Sequence, residues 1–281
     1  SLNALFPWQS GSWPTDWPAT IQQKWNAVLN RLPHRRGAAH AQPEDTTVIN
    51  FDTVGAENTW NQNAHDFSAQ HIEELTSMLQ LCQENGTRLL LISAPKTTLD
   101  VVSYETYFDD YAYFKQLAAQ YGASYYDFNL AKPELFENKE PDYHKDFTHM
   151  NAAGGHAFSL SMAKFLAMLD AGQDVESLFE TPSEYLVAVN YITNVYLTPE
   201  VHPDKILLLA GSYHGPSVQA EYEFWVKAPG ESEYSRVSAY STRSWTEYAA
   251  AEHGTYQFRV NARIVGSSAD FERYYECSVD F

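Results

Sequence analysis

The residues with the clearest chemistry are Asp146-Phe147-Thr148-His149, followed by Met150-Asn151-Ala152-Ala153-Gly154-Gly155. An acid three residues before a histidine, at the mouth of a helix, supplies two of the three parts of a hydrolytic triad. His149 would act as general base, and Asp146 would hold its ring in one tautomer and stabilise the imidazolium. The third part, a nucleophile, has no convincing candidate in the sequence. A plainer alternative makes Asp146 a helix cap and His149 a packing residue.

The other histidines nearby, His65, His71 and His144, do not share a metal-ligand spacing. His144 and His149 lie five apart on a loop with Asp142 as a conceivable third ligand, which is not a recognisable zinc pattern. No cofactor or metal site is expected. Two cysteines, Cys82 and Cys277, are too few for a disulfide framework.

Alternating strand and helix patterns must position the Asp-x-x-His loop. Thr47 to Phe51 and Arg88 to Ser93 read as strands, the second a continuous apolar run of the kind buried on both faces. His71 to Glu84 has apolar residues at helical spacing and ends at Asn85-Gly86, as a C-cap would. Tyr107 to Tyr121 predicts a helix, Ala123 to Phe128 a strand, and about Gly154 to Leu169 a final helix. This is an α/β layered pattern with a parallel sheet. Ahead of it, Trp8, Trp13, Trp17 and Trp25 crowd a Pro-rich segment, with a helix expected over Trp17 to Leu32.

The pattern changes near Ala171-Gly172-Gln173. From Tyr185 onward only strands and turns are expected, including Leu186 to Leu197, Ile206 to Ala210, Tyr222 to Lys227, Thr255 to Ile264 and Tyr274 to Phe281. Six or seven short strands over about a hundred residues suggest an antiparallel β-sandwich. Two domains follow, 1–178 and 183–281.

The chain has 281 residues and a formal net charge of −18. Nucleic acids and anionic membranes need a basic footprint, so neither is an expected partner. No apolar run approaches the ~20 residues of a membrane-spanning helix.

Three segments together carry a resemblance: Leu89 to Pro95, the strand ending in Asp127-Phe128-Asn129, and Asp146 to Asn151 leading into a helix. They resemble the C-terminal half of an SGNH (GDSL-type) hydrolase domain. The likeness covers about residues 45 to 170 and lies nearest bacterial cell-surface relatives of polysaccharide O-acyl transferases. It implies a three-layer, flavodoxin-like α/β fold, with His149 as base, Asp146 as its orienting partner and a serine attacking an ester carbonyl. It further implies a bacterial extracellular or cell-surface location and a cell-wall or extracellular polysaccharide as partner.

The family's Gly-Asp-Ser-type turn is missing from residues 1 to 50. Gly11-Ser12 follows no apolar strand, and Gly211-Ser212 reads as a turn of the later β region. Gly55-Ala56-Glu57-Asn58 misses the family's Gly-x-Asn spacing by one. Either the chain lacks a serine-bearing N-terminal part, or it is a non-catalytic relative.

Gly254-Thr255-Tyr256, Tyr222 to Lys227 and Ser267-Ser268-Ala269 give residues 183 to 281 a likeness to immunoglobulin-like, three-tyrosine β-sandwiches of bacterial surface proteins. A glycan surface on Tyr213, Tyr240 or Trp245 is one reading of its aromatics; core packing is the other. The alternative to an esterase is therefore a non-enzymatic glycan- or protein-binding module.

Overall fold

The computed structural model describes residues 67–281 except Glu105, Pro141 and Phe147. These residues all fall within one compact unit, Thr46–Phe281, the other unit being Ser1–Asp45. The Trp-rich helix expected over Trp17 to Leu32, the strand at Thr47 to Phe51, and His65 lie outside the described residues.

Two parallel strands, β1 (Leu90–Ser93) and β2 (Ser124–Asp127), form the α/β sheet. They are flanked by α1 (Ala69–Glu84), α2 (Thr98–Ser103), α3 (Tyr107–Gln120) and α4 (Ala152–Asp170). Strand alternation sends successive side chains to opposite faces. Tyr126 meets Phe165 of α4 at a 4.8 Å centroid distance, while Tyr125 meets Tyr111 of α3 at 5.7 Å. Helices therefore cover both faces of this sheet.

The α4 side is an aromatic core. Phe165 is fully buried and sits edge-on to Tyr126 and Phe128, with Phe179 closing the cluster. Each edge-to-face pair contributes about 0.5–1.5 kcal/mol beyond area burial. Phe179 returns to this core because its segment bridges Ala131, and the Lys132 N–H donates to the Leu178 carbonyl.

A short helix, α5 (Pro182–Ala188), comes next. It overturns the expectation that Leu186 begins a strand. Thr181 and Glu184 form a capping box with Pro182 inside the first turn, which fixes a helix start. The strand begins only at Ile192.

Two antiparallel sheets follow. One has the order β3 (Ile192–His202), β4 (Lys205–His214), β7 (Trp245–Tyr248). The other has the order β6 (Ser235–Ser241), β5 (Ala220–Lys227), β8 (Thr255–Ile264), β9 (Arg273–Asp280). Inward residues of both, such as Ile206, Leu208, Phe224, Phe258 and Val260, share one buried core. Gly211-Ser212 lies within β4 and not in a turn, so that expectation is also corrected. Ser212 faces inward and bonds the Tyr222 hydroxyl at 2.8 Å. Cys82 and Cys277 are free thiols.

The short helix α2 packs against the β layers. Leu99 and Val101 are 2% and 1% exposed, and the helix packs on β3 and β4. Its β-branched sequence, Thr98-Leu-Asp-Val-Val-Ser103, gave no helical signal. Burial on all sides, with Thr97 capping the Asp100 N–H, holds it in place.

At the end of the β layers, Tyr256 is 1% exposed. Its hydroxyl donates to the Glu252 carbonyl at 2.9 Å and lies 3.3 Å from the Glu252 N–H. Phe at this position would keep the ring and orphan that carbonyl. Tyr256→Phe should cost about 1–2 kcal/mol, lowering the melting temperature by roughly 2–6 °C. Thermal unfolding followed by circular dichroism checks this, and an unchanged melting temperature would count against the hydroxyl's role.

Candidate active site

Asp146 and His149 are brought together. The His149 Nδ1 lies 3.0 Å from both Asp146 carboxylate oxygens. Asp146 Oδ1 also accepts the backbone N–H groups of Thr148 and His149, at 2.9 and 2.7 Å. Asp146 is therefore a loop-capping acceptor and an imidazole partner at once. It does not cap α4. That role belongs to Asn151, whose side chain accepts the Gly154 N–H at 3.0 Å and donates to the Asp142 carbonyl at 2.7 Å. The i, i+3 spacing lets a single carboxylate reach both the turn's N–H groups and the ring.

A carboxylate can only accept, so the hydrogen on Nδ1 points at Asp146. The lone pair is then on Nε2, the tautomer a general base needs. Thr148 Oγ1 sits 2.9 Å from the same Nδ1 and shares its hydrogen. The His149 and Asp146 side chains are 61% and 48% exposed, so the pair is open to solvent and to a ligand. Partial burial pushes the Asp146 carboxyl up. The N–H groups of His149 and Thr148, with the imidazole, more than reverse this and hold it below the usual carboxylate range.

The loop carrying the pair is clamped from below. His144 bridges Met150 in antiparallel fashion, and the Lys145 N–H donates to the His149 carbonyl at 3.1 Å. The fully buried His144 ring bonds Asn138 Oδ1 through Nε2 at 2.7 Å, and Asn138 Nδ2 donates to the Lys96 carbonyl at 2.7 Å. Asn138 Oδ1 can only accept, so His144 Nε2 carries the hydrogen and its buried Nδ1 is a bare lone pair. Burial pushes this imidazole down to about 4 against the opposing charge of Asp146. A Cβ on Gly154 would fall 2.3 Å from the Tyr143 carbonyl oxygen, so only glycine lets α4 begin this close to the loop.

Lys96 in turn is tied to the strand ends. Its N–H donates to Asn129 Oδ1 at 2.7 Å, while Asn129 Nδ2 donates to Asp127 Oδ1 and to the Tyr107 hydroxyl, both at 2.7 Å. The Lys96 ammonium pairs with the buried Asp100 at 2.7 Å. Burial raises the Asp100 carboxyl and Lys96 lowers it; the charges of Asp146 and His149 also reach it. The site's neighbourhood thus holds a second ion pair, its acid covered and its ammonium reaching solvent. Lys96, Asp100, Asn129 and Asn138 were missed as site residues, and His144 was weighed only as a conceivable metal ligand. Their types were visible, but no local spacing signals contacts that span 33 or 42 positions.

Glu140 closes the periphery, its carboxylate accepting the Thr98 N–H. Burial pushes it up to about 7 despite that bond.

Among the described residues no serine or cysteine side chain hydrogen-bonds His149, and no group of three or more His, Cys, Asp or Glu gathers as a metal site. Ser1, Ser10 and Ser12, with Gly55 to Asn58, lie outside the described residues.

Two titrations should oppose one another in solution. Glu140 holds its proton more tightly folded than unfolded, so its contribution to stability falls as pH rises from 4.5 to about 7. His144 binds its proton more weakly folded, so its contribution grows from pH about 4 to 6.5. Glu140→Gln removes the first slope while keeping an acceptor for Thr98. The variant should melt higher than wild type at pH 8, by roughly 2–6 °C, and gain stability more steeply between pH 4.5 and 6.5. A variant less stable than wild type at pH 8 would contradict the reading. A scan against protein-family models finds no family that matches this chain, and a search of curated proteins finds no match either.

Proposed function

We propose that the α/β half is an SGNH-like ester hydrolase or O-acyltransferase unit, acting on acyl esters of an extracellular or cell-wall polysaccharide, and that the β half is an immunoglobulin-like module attached to it. The observation that carries the reading is the His149–Asp146 pair, with Nδ1 committed to the carboxylate and the ring otherwise exposed. Its position after a parallel β-strand unit and directly before α4, the helix that covers one face of that sheet, supports the same lineage. So do helices on both faces of the sheet and the tyrosine at the end of the β layers.

In this mechanism His149 Nε2 takes the proton of a serine hydroxyl as the oxygen attacks the ester carbonyl, giving a tetrahedral oxyanion and an imidazolium. Asp146 stabilises the imidazolium through Nδ1–H. Collapse of the intermediate expels the alcohol, which takes the proton back from His149, and leaves an acyl-serine. Water or a second sugar hydroxyl then removes the acyl group by the same steps.

A second reading has its own support. No serine among the described residues bonds the His149 ring, and a binding module with an inherited dyad would look the same. One experiment separates them. Wild type, His149→Ala and Asp146→Asn are assayed for p-nitrophenyl acetate turnover, and each is treated with a fluorophosphonate probe and mapped by peptide mass spectrometry. The hydrolase reading expects one labelled serine, a loss of roughly 10²-fold or more in His149→Ala, and an intermediate loss in Asp146→Asn. Equal rates in wild type and His149→Ala, with no labelled serine, would leave the binding module as the function.

A further inference from the structure

We propose that Asn85-Gly86 is a self-modification site, at which the Gly86 nitrogen attacks the Asn85 side-chain amide and converts Asn85 to aspartate and isoaspartate. It is the one Asn-Gly step in the sequence. The inference uses no residue of the dyad and stands apart from the hydrolase reading.

The pair sits where this chemistry has access. Asn85 is the C-cap of α1, and Gly86 follows it in the left-handed region at φ 61°. Both residues are exposed. A Cβ on Gly86 would have nothing within 4 Å, so open space adjoins the attacking nitrogen. Four bonds close the turn. Asn85 Nδ2 and the Asn85 backbone N–H both donate to the Leu81 carbonyl, at 2.8 and 3.2 Å. The Gly86 N–H donates to the Gln83 carbonyl at 3.1 Å, and the Thr87 N–H to the Cys82 carbonyl at 2.8 Å. A helix end open to water frays, and fraying frees the nitrogen and the amide together. The asparagines beneath the dyad are placed differently. Asn129, Asn138 and Asn151 are held by bonds within the fold, and each is followed by a residue whose side chain crowds the attacking nitrogen.

The reaction needs only water and a base. The base takes the proton of the Gly86 N–H as that nitrogen bonds to Asn85 Cγ. The Cγ–Nδ2 bond breaks, and ammonia leaves with a proton returned from water, closing a five-membered succinimide. Water then opens the ring at one of its carbonyls. Attack at Cγ gives aspartate; attack at the main-chain carbonyl leaves the backbone running through Cβ and Cγ, as isoaspartate. Either product carries a carboxylate in place of the amide.

That carboxylate is ill suited to its place. It cannot donate to the Leu81 carbonyl, and its charge meets the negative end of α1. The last turn of α1 has no basic residue, and Glu84 adjoins the new charge. The turn that leads through Arg88 into β1 therefore opens more readily after conversion.

The test is peptide mapping by mass spectrometry of the folded full chain, held at pH 8 for several weeks in ordinary and in oxygen-18 water. The peptide containing Asn85 should gain the mass of an amide-to-acid exchange, take up the label and split into two chromatographic forms. Asn85→Gln, which would have to close a larger ring, should stay unchanged. Asn85→Asp carries the product's charge from the start, and should lower hydrogen-exchange protection of the Thr87 N–H roughly three- to tenfold. An unmodified Asn85 peptide in the incubated wild type would overturn the proposal, as would equal labelling at Asn129, Asn138 or Asn151. Equal Thr87 protection in Asn85→Asp and wild type would overturn the loosening. Wild-type labelling decides the chemistry even if a variant fails to fold, and none of these readings depends on turnover of an ester.

Discussion

The candidate site depends on one side chain, Asn129, which ties together the C-terminal ends of two parallel strands. Its amide bonds the Asp127 carboxylate, the Tyr107 hydroxyl and the backbone on both sides of Pro95. Those groups are largely out of water, where a lost partner leaves a donor or acceptor uncompensated. Lys96 is fixed by this arrangement, Asn138 is fixed on Lys96, and the dyad loop sits on Asn138 through His144. The loop is thus held by a chain of neutral amides and one neutral imidazole, with its charges kept at the solvent side.

That division of labour has an electrostatic logic. Asp146 remains ionised because it accepts two N–H groups within its own turn. Asp100 is covered and tolerated because Lys96 reaches it. A charged His144 would have no acceptor for a hydrogen on Nδ1, so burial keeps it neutral. Asp146, Asp100 and His144 are thus each accounted for by a partner or by desolvation.

Legibility in the sequence followed locality. The dyad was readable because its members are three residues apart and touch within one turn. The long helices α1, α3 and α4 and the strands β1 and β2 were readable from period and apolar continuity. The helix α2 was not, because six residues rich in β-branched side chains become helical only by being enclosed. The helix α5 was misread despite the Thr181–Glu184 signature, since the apolar run that follows drew attention to a strand. Gly211 looked like a turn residue because glycine usually marks one, whereas here it makes room for a ring from the next strand. The supporting cast of the site was invisible because the bonds that join its local pairs into one network, Lys96 to Asn129 and Asn138 to Lys96, span 33 and 42 positions, and one chain carries no record of such pairings.

The short helix α2 ties the site's second acid to the β layers. One side of α2 packs on the β3–β4 ribbon, while Asp100 on the same six residues lies within electrostatic reach of the dyad. With Leu99, Val101 and Ser103 all enclosed, the segment cannot rotate or slide without opening a void. The enclosure that seats this turn of helix on the ribbon therefore also fixes the position of the Asp100 carboxylate and of the Lys96 ammonium it holds.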